Sequence, residues 1–556
     1  MQKCFNYCNS GDTIYIDKGI YKEVVYVDSK NLTIIGMDTD ECIVDGSGIP
    51  GLHSVYCMWW FNDSDIKLEN LTFKYQRRDD THFFTGIFYA QGFARVNHCI
   101  FDSTDYCLAL TCSSEVSNVF FKNTINAVGV NGYYYPGIKI ENCVMDILSN
   151  VDLSMAVENG AGGGSFKINN NILIQRPGVP PFYYPFYGLK LFTNERIEVR
   201  NNLFCGFQNA MQLACYSGGD KDTVFIENNT ITNCKAYGIS SGNFVQSRVI
   251  RNNIVNACPY AIYSYNDVSM KADYNLYNKI RKSIYYFVIP GEHEIVADPM
   301  FVNDTLALLN GNYDYRLQKY SPAINSGDPS ILDVDGSRSD MGMFGGPCGM
   351  RTDYLDLPPK QIKTITADYI QDSSKINIVW EKRWEADFKE YRLYKDVNPN
   401  FTINTNNLIA TVTDSIYIDY LTKGSQELYY KVTAVDNTGN ESIPSVEVNV
   451  TITDVNDTDI KLNYNYQLYQ NYPNPFNPTT TISYCLKEPG DVRVKLYNIT
   501  GQLLQTIIEG EKSKGYNETK IDLSNYASGI YLYRLEVTGK GKIPVFNDLK
   551  KMVYVK

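Results

Sequence analysis

The feature that most constrains this chain is a short pattern, apolar-x-Asn-x-x-apolar, that keeps returning. It is met as LENLTF (68–73), VNHCIF (96–101), VSNVFF (116–121), IENCVM (140–145) and INNNIL (168–173). It continues as VRNNLF (199–204), IENNTI (226–231), IRNNIV (250–255) and ADYNLY (272–277). The third residues stand at 70, 98, 118, 142, 170, 201, 228, 252 and 274, a repeat of about 25 residues. Within each unit apolar and polar residues alternate, β-branched residues and Asn abound, and Gly falls between units, which is strand-and-turn chemistry. A strand of this kind cannot bury its apolar face alone. Stacking one coil on the next, ~4.8 Å apart, pairs the backbone and threads one apolar interior through all coils. The marker Asn is expected in the left-handed region, hydrogen-bonded to its stacked neighbour. The unequal gaps predict loops protruding from a regular shaft.

The cysteines follow the same register. Cys99 and Cys143 each come one residue after a marker, Cys234 and Cys258 six residues after one. They are read as interior ladders of small apolar side chains, with disulfides the lesser alternative. None of the fourteen cysteines forms a CxxC pair and the four histidines make no HExxH, which argues against zinc chemistry. A net charge of −11 disfavours nucleic acid as partner, and no run approaches the ~20 apolar residues of a membrane span.

SGDTIYIDKGIYKEVVYV (10–27), then NLTIIGM and CIVDGSG, resembles the opening of pectin-lyase-like right-handed parallel β-helices, in which a short amphipathic helix caps the open end; QKCFNYC (2–8) fits that role. DPMFVN (298–303), DYRLQKYSPAINSGDP (314–329) and DVDGSRSDMGMFGGP (333–347) resemble the closing segment of the same group. The resemblance implies a solenoid over 1–350 whose far end the last segment closes; in DVDGSRSDMG (333–342) the preferred reading is Arg338 pairing with an Asp to close that end. DVDG opens like a calcium loop, but its twelfth position is Phe344 instead of Glu.

After LDLPPK (355–360) the repeat stops. INIVW (376–380), YRLYKD (391–396), LIATVT (408–413) and YYKVTAVDNTGNES (429–442) resemble a fibronectin type III module over 360–453. Beyond a polar linker (453–465), YQLYQNYPNPFNPTTTISYCL (466–486), VRVKLYNITGQLLQTI (492–507), ASGIYLYRLEV (527–537) and KKMVYVK (550–556) resemble the C-terminal sorting domain of the type IX secretion system, placed at 467–556. That resemblance implies a small Ig-like sandwich read by the outer-membrane translocon. In it Pro473, Pro475 and Pro478 fix an extended segment, Asn498, Thr500 and Gly501 mark a hairpin turn, and Ile482/Tyr484/Leu486 and Val492/Val494/Leu496 form the buried face. The whole is therefore expected to be all-β: a β-helix followed by two small sandwiches, secreted or at the outer cell surface, and monomeric. MQKCFNYCNSGD has no apolar core of a signal peptide, so the expectation is a truncated or misassigned start.

Three loops attract functional attention. YQRRDDTHFF (75–84) packs Arg77, Arg78, Asp79, Asp80 and His82 together, the residue types with which uronic-acid lyases neutralise a sugar carboxylate and move a proton. The bland reading is a solvated, self-paired charge cluster. NGYYYPG (131–137) and RPGVPPFYYPFYG (176–188) offer Tyr133, Tyr134, Tyr135, Tyr183, Tyr184 and Tyr187 as flat faces for sugar rings, against the alternative that they staple the loops to the shaft. Lys190 and Arg196 follow on a strand-like stretch. Asp152 with Glu158, or Asp220 with Asp222, are the carboxylate pairs available to a glycosidase. The NTDG, GDD and GHG set of polygalacturonases is missing. The expectation is a protein that binds, and in its enzymatic version cleaves, an extracellular polysaccharide, with no cofactor beyond an optional Ca²⁺; the rival is a non-catalytic adhesin or rod.

Overall fold

The computed structural model describes residues 1–555 apart from 48, 50–56, 77–85, 105, 131–136, 149–154, 160–163, 177–186, 194, 216–222, 242–246, 266–269, 305–313, 371–374, 421–425, 453–465, 470, 472–473, 475, 500 and 540–543. The chain falls into two compact units, Met1–Ile452 and Thr453–Lys556.

The first unit begins as a parallel β-helix. Three parallel sheets run along it: a first of twelve strands from Thr13–Ile16 to Ile289–Pro290, a second of twelve from Gly19–Tyr21 to Ile295–Val296, and a third of eleven from Val25–Asp28 to Ser283–Tyr286. Equivalent residues stack coil on coil, as in Phe73, Phe101 and Phe121, whose rings lie 5.0 and 5.4 Å apart and nearly parallel inside the second sheet. The helix Gln2–Tyr7 inserts its single buried residue, Phe5, against Trp59 and Phe61, the capping role expected of it. Cys99, Cys143, Cys234 and Cys258 are buried and free of disulfides.

All nine marker residues have positive φ, from 48° at His98 to 58° at Asn252. The corner between the first and second sheets thus turns through a left-handed residue, a conformation that Asn tolerates better than most other side-chain-bearing residues. A continuous ladder of stacked hydrogen bonds, however, belongs to the next residue. Asn171, Asn202, Asn229, Asn253 and Asn275 are wholly buried. The backbone N–H of each donates to the side-chain oxygen of the one above, at 3.0 Å for Asn171–Asn202 and Asn202–Asn229, and 2.9 Å for Asn229–Asn253 and Asn253–Asn275. Each side-chain amide also donates to a carbonyl of the coil below, as Asn229 Nδ2 does to Val199 at 2.8 Å. The expected bond between stacked markers is met at Asn252, whose Nδ2 donates to Asn228 Oδ1 at 3.5 Å, but the continuous ladder is one residue further on. The residue after the marker faces the interior, where an unpaired amide is costly, so that position must be apolar (Leu71, Cys99, Val119, Cys143) or form a ladder.

The ladder ends on Glu294, whose carboxylate accepts Asn275 N at 2.8 Å and Tyr277 OH at 3.3 Å. The described residues of 298–350 are placed elsewhere than expected. They lie along the side of the second sheet, where Phe301, Tyr315, Leu317, Met341 and Met343 share one core with Ile174, Leu203, Cys205, Ile254 and Leu276. The marker asparagines hold them there: Asn201 Nδ2 donates to the Met343 carbonyl (3.0 Å), Asn228 Nδ2 to that of Asp340 (2.8 Å), and Asn252 Oδ1 accepts Asp328 N (2.7 Å). Gly342, at φ +92°, sits so close that an added Cβ would lie 2.7 Å from Ile254 Cδ1. Among the described residues Arg338 pairs with no Asp; its guanidinium donates to the carbonyl oxygens of Gly327 and Ser326. Asp333 likewise serves the turn, accepting the amides of Asp340 and Gly346.

Downstream, strands Ile365–Ile370, Lys375–Trp380 and Ile416–Tyr420 form one antiparallel sheet, and Leu408–Val412, Phe388–Asp396, Gln426–Asp436 and Val448–Ile452 another. The two share a core around Trp380, Tyr391 and Tyr430. No helix among the described residues is long and apolar enough to cross a membrane.

Asn229→Ala removes both the acceptor for Asn202 and the donor to Val199. It is expected to lower stability by about 2–4 kcal/mol in chemical denaturation. Burial pushes the Glu294 carboxyl up to about 7, above its unfolded value, so its contribution is full below the unfolded carboxyl range and is lost as pH rises through about 7. Between pH 5 and pH 8 the wild type should lose on the order of 1–3 kcal/mol more than Glu294→Gln.

Candidate functional site

The three faces of the solenoid carry different chemistry. On the first sheet the outward charges neutralise one another: Arg95 pairs with Glu115, Arg200 with Glu198 and Glu227, and Arg251 with Glu227 and Asp328, at 2.6 to 2.7 Å. The second sheet is covered along its later coils by the chain's own 298–350 segment. Among the described residues the third shows neither such pairing nor such a cover.

One register row runs the whole length of that third face. Its members are Tyr26, Trp60, Tyr89, Ala109, Gly129, Glu158, Lys190, Gln212, Ser240, Tyr263 and Tyr286, each paired with the next. Alternation in the strands fixes it: the neighbours Phe61, Phe88, Leu108, Val128, Val157, Leu189, Met211, Ile239 and Ile262 are buried inside. Aromatic rings stand at both ends of the row. At one, Trp60 lies 4.7 Å from Tyr89 and 6.4 Å from Tyr26. At the other, Tyr263 stacks on Tyr286 at 4.6 Å and meets Tyr237 at 4.5 Å and Tyr265 at 5.0 Å; Tyr286 (40% exposed) continues to Phe287 (49%).

Between the clusters the row narrows to Ala109 and Gly129 and then places a carboxylate beside an ammonium. Glu158 is half-buried, and desolvation raises its pKa above the ordinary carboxyl value, opposed by the charge of Lys190. Lys190 has no carboxylate within ion-pair distance among the described residues. Its Nζ instead lies over the rings of Tyr187 (5.6 Å) and Phe192 (5.9 Å). Burial and neighbouring Tyr265 and Tyr237 raise the Tyr187 hydroxyl as well, so Tyr187 joins the lysine to the tyrosine cluster.

Of the residues singled out from sequence, Glu158, Tyr187 and Lys190 are described and come together on this face. Arg77, Arg78, Asp79, Asp80, His82, Tyr133, Tyr134, Tyr135, Tyr183 and Tyr184 lie outside the described residues, as do Asp152, Asp220 and Asp222. Arg196 is on the first sheet's side, paired with Glu198 and lying over Phe225. Sequence reasoning missed Trp60, Tyr89, Tyr237, Tyr263, Tyr265 and Tyr286. The repeated tyrosines in KAYGIS (235–240) and PYAIYSY (259–265) were the available signal.

The second unit is a separate seven-stranded structure. Strands Gln467–Leu468, Thr479–Leu486 and Gly515–Asp522 form one sheet, and Leu503–Lys512, Gly490–Asn498, Gly529–Thr538 and Pro544–Tyr554 the other. Ile482, Tyr484, Leu486, Val492, Val494 and Leu496 are its buried face as expected. Asn498 and Gly501, at φ +81°, form the hairpin turn; Thr500, Pro473 and Pro475 lie outside the described residues. The Asn- and Pro-rich segment before the second strand is tied down by specific bonds. The Asn471 amide donates to the Tyr533 hydroxyl (2.7 Å), which donates to the Tyr469 carbonyl (2.8 Å), while Asn474 Oδ1 accepts Val553 N (2.7 Å) and Phe476 stacks on Tyr554 at 5.3 Å.

Comparison with known proteins identifies this unit. The family model for the secretion system C-terminal sorting domain matches residues 470–544. The chain is thus a parallel β-helix protein that carries a type IX sorting domain, which indicates delivery to the cell surface or extracellular space. No curated protein matches the sequence. Among solved structures, dimeric latent PorU from Porphyromonas gingivalis matches at 17% identity over 36% of this chain and 19% of its own, with a TM-score of 0.17. The FN1–FN3 domains of chicken CNTN1 match at 12% identity (38% and 70% coverage, TM-score 0.16), and a two-domain fibronectin type III segment of chicken tenascin at 17% (34% and 98%, TM-score 0.13). The chain thus spans about a fifth of the PorU chain.

Tyr533→Phe strips the buried Asn471 amide of its acceptor. It should lower the stability of this unit by about 1–2 kcal/mol, read as a lower thermal midpoint for its transition.

Proposed function

We propose that the solenoid binds an extracellular polysaccharide, an acidic one, along the outer face of its third sheet. The supporting observation is the row itself, in which an ammonium with no carboxylate at ion-pair distance among the described residues stands between two aromatic clusters. Aromatic faces suit the apolar faces of sugar rings, and a partly desolvated lysine is ready to meet a sugar carboxylate. Ten inter-strand steps give the row a length of ~48 Å, room for many sugar units.

A second, enzymatic reading draws on Glu158. A carboxyl whose pKa is raised beside a cation is suited to proton transfer, and Lys190 would hold the sugar carboxylate next to it. The loop candidates Arg77, Arg78, Asp79, Asp80 and His82, and the tyrosines at 133–135 and 183–184, belong to this proposal as further contacts. For dissecting the chain we propose the division 1–350, 360–453 and 467–556, with the middle part a fibronectin-like spacer.

Titration of the full chain with uronic-acid polymers and neutral glycans tests binding. Lys190→Met should weaken acidic polymers about tenfold and neutral ones little, whereas Tyr263→Ala should weaken both several-fold. New absorbance from unsaturated ends, lost in Glu158→Gln, would establish lyase action. Absence of binding to every polymer would overturn the proposal in favour of a non-catalytic rod or adhesin.

A further inference from the structure

A gap in the backbone ladder gathers positive charge at the tyrosine end of the third face. Lys235, Pro259 and Arg281 each follow a marker by seven residues and so stack at the corner that leads into the third sheet. At this corner the backbone N–H donates to the coil before it, as Lys235 N does to the Phe207 carbonyl (2.9 Å) and Arg281 N to that of Cys258 (3.0 Å). Pro259 has no N–H to give, which leaves the Cys234 carbonyl without that donor. The Arg281 guanidinium reaches back over the intervening coil and donates to this carbonyl at 3.4 Å. A second positive charge is thereby brought beside Lys235. Lys282, the next residue, holds its Nζ 5.3 Å over the ring of Tyr260, which itself lies 5.3 Å from Tyr237 and 5.9 Å from Tyr263.

Lys235, Arg281 and Lys282 are all exposed, and among the described residues none has a carboxylate at ion-pair distance. On the first sheet, by contrast, outward arginines meet glutamates of adjoining coils, and the chain as a whole carries a charge of −11. Like charges gathered without a counter-charge repel one another, and an anion seated among them relieves the repulsion. The tyrosine rings beside them offer the flat faces on which a sugar stacks. The coil of Arg281 and Lys282 is four inter-strand steps from that of Lys190, ~19 Å along the axis, too far for a disaccharide to touch both.

We propose that Lys235, Arg281 and Lys282, with Tyr260, form a second anion subsite, which takes a carboxylate of the same acidic polysaccharide that Lys190 meets. The inference rests on the polysaccharide reading given above and adds a length requirement to it. A sugar chain that spans both subsites makes the second contact without paying again for lost translational freedom, whereas a short one makes a single contact. The planar fork of Arg281 suits a carboxylate, and the lysines supply mobile charge on either side.

The test is calorimetric titration of the full chain with oligogalacturonates of increasing length. Affinity should rise by a step, on the order of 10²-fold, once the oligomer spans the two subsites. Lys235→Met together with Lys282→Met, which keeps the apolar stems at two exposed positions, should remove the step, weaken the long oligomers about tenfold or more and change the disaccharide little. The absence of a step in the wild type, or a double variant that keeps it, would overturn the second subsite; if Lys190→Met still weakens binding in that case, the polysaccharide reading stands without it. No binding of any oligomer would remove both.

Discussion

At one corner of nine successive coils, from Asn70 to Tyr274, the chain turns through a left-handed residue and then points its next side chain into the interior. From Asn171 to Asn275 that interior position is an asparagine whose oxygen accepts from a neighbouring coil and whose amide donates to the coil below as well as, from Asn202 onward, to its own strand. An asparagine so placed is costly in isolation and favourable only in a stack. It therefore selects one register over its neighbours as well as stabilising it. The earlier coils use Leu71, Cys99, Val119 and Cys143 at the same position, so the register passes there from hydrogen bonds to apolar packing, and Glu294 ends the polar stretch with a carboxylate.

This single register decides what each face presents. Once the interior rows are set, strand alternation leaves the outer rows no freedom. Charges on the first sheet fall opposite their counterparts, the second sheet offers an apolar strip that the 298–350 segment covers, and the third aligns tyrosines, Glu158 and Lys190 from coils far apart in sequence. The binding surface proposed here is a consequence of stacking and not of any local motif.

The architecture was legible for the same reason. Asn-x-x-apolar repeats report turn and strand together, and the sorting unit announced itself through a segment whose Asn471, Asn474 and Phe476 each make a specific bond or ring contact. The marker's left-handed conformation was readable as well, but not that its neighbour carries the ladder, since both positions are often Asn and only geometry tells which faces inward. The lateral docking of 298–350 was hidden too. DVDGSRSDMGMFGGP reads as a terminal segment, and its attachment depends on marker asparagines more than 75 residues away. Lys190 and Tyr187 were found because their strand follows a conspicuous aromatic loop. Tyr237, Tyr263 and Tyr286 were missed because their alignment depends on register across coils of unequal length, which no window of sequence displays.

Hydrogen exchange, followed strand by strand in Asn202→Ala, tests the stacking claim most directly. The account predicts that amide protection falls in the adjoining coils, at Phe166–Asn169 and Thr223–Glu227, as well as in the altered one, while Thr479–Leu486 and Gly529–Thr538 of the second unit keep theirs. Loss confined to the altered strand, or protection unchanged throughout, would contradict it.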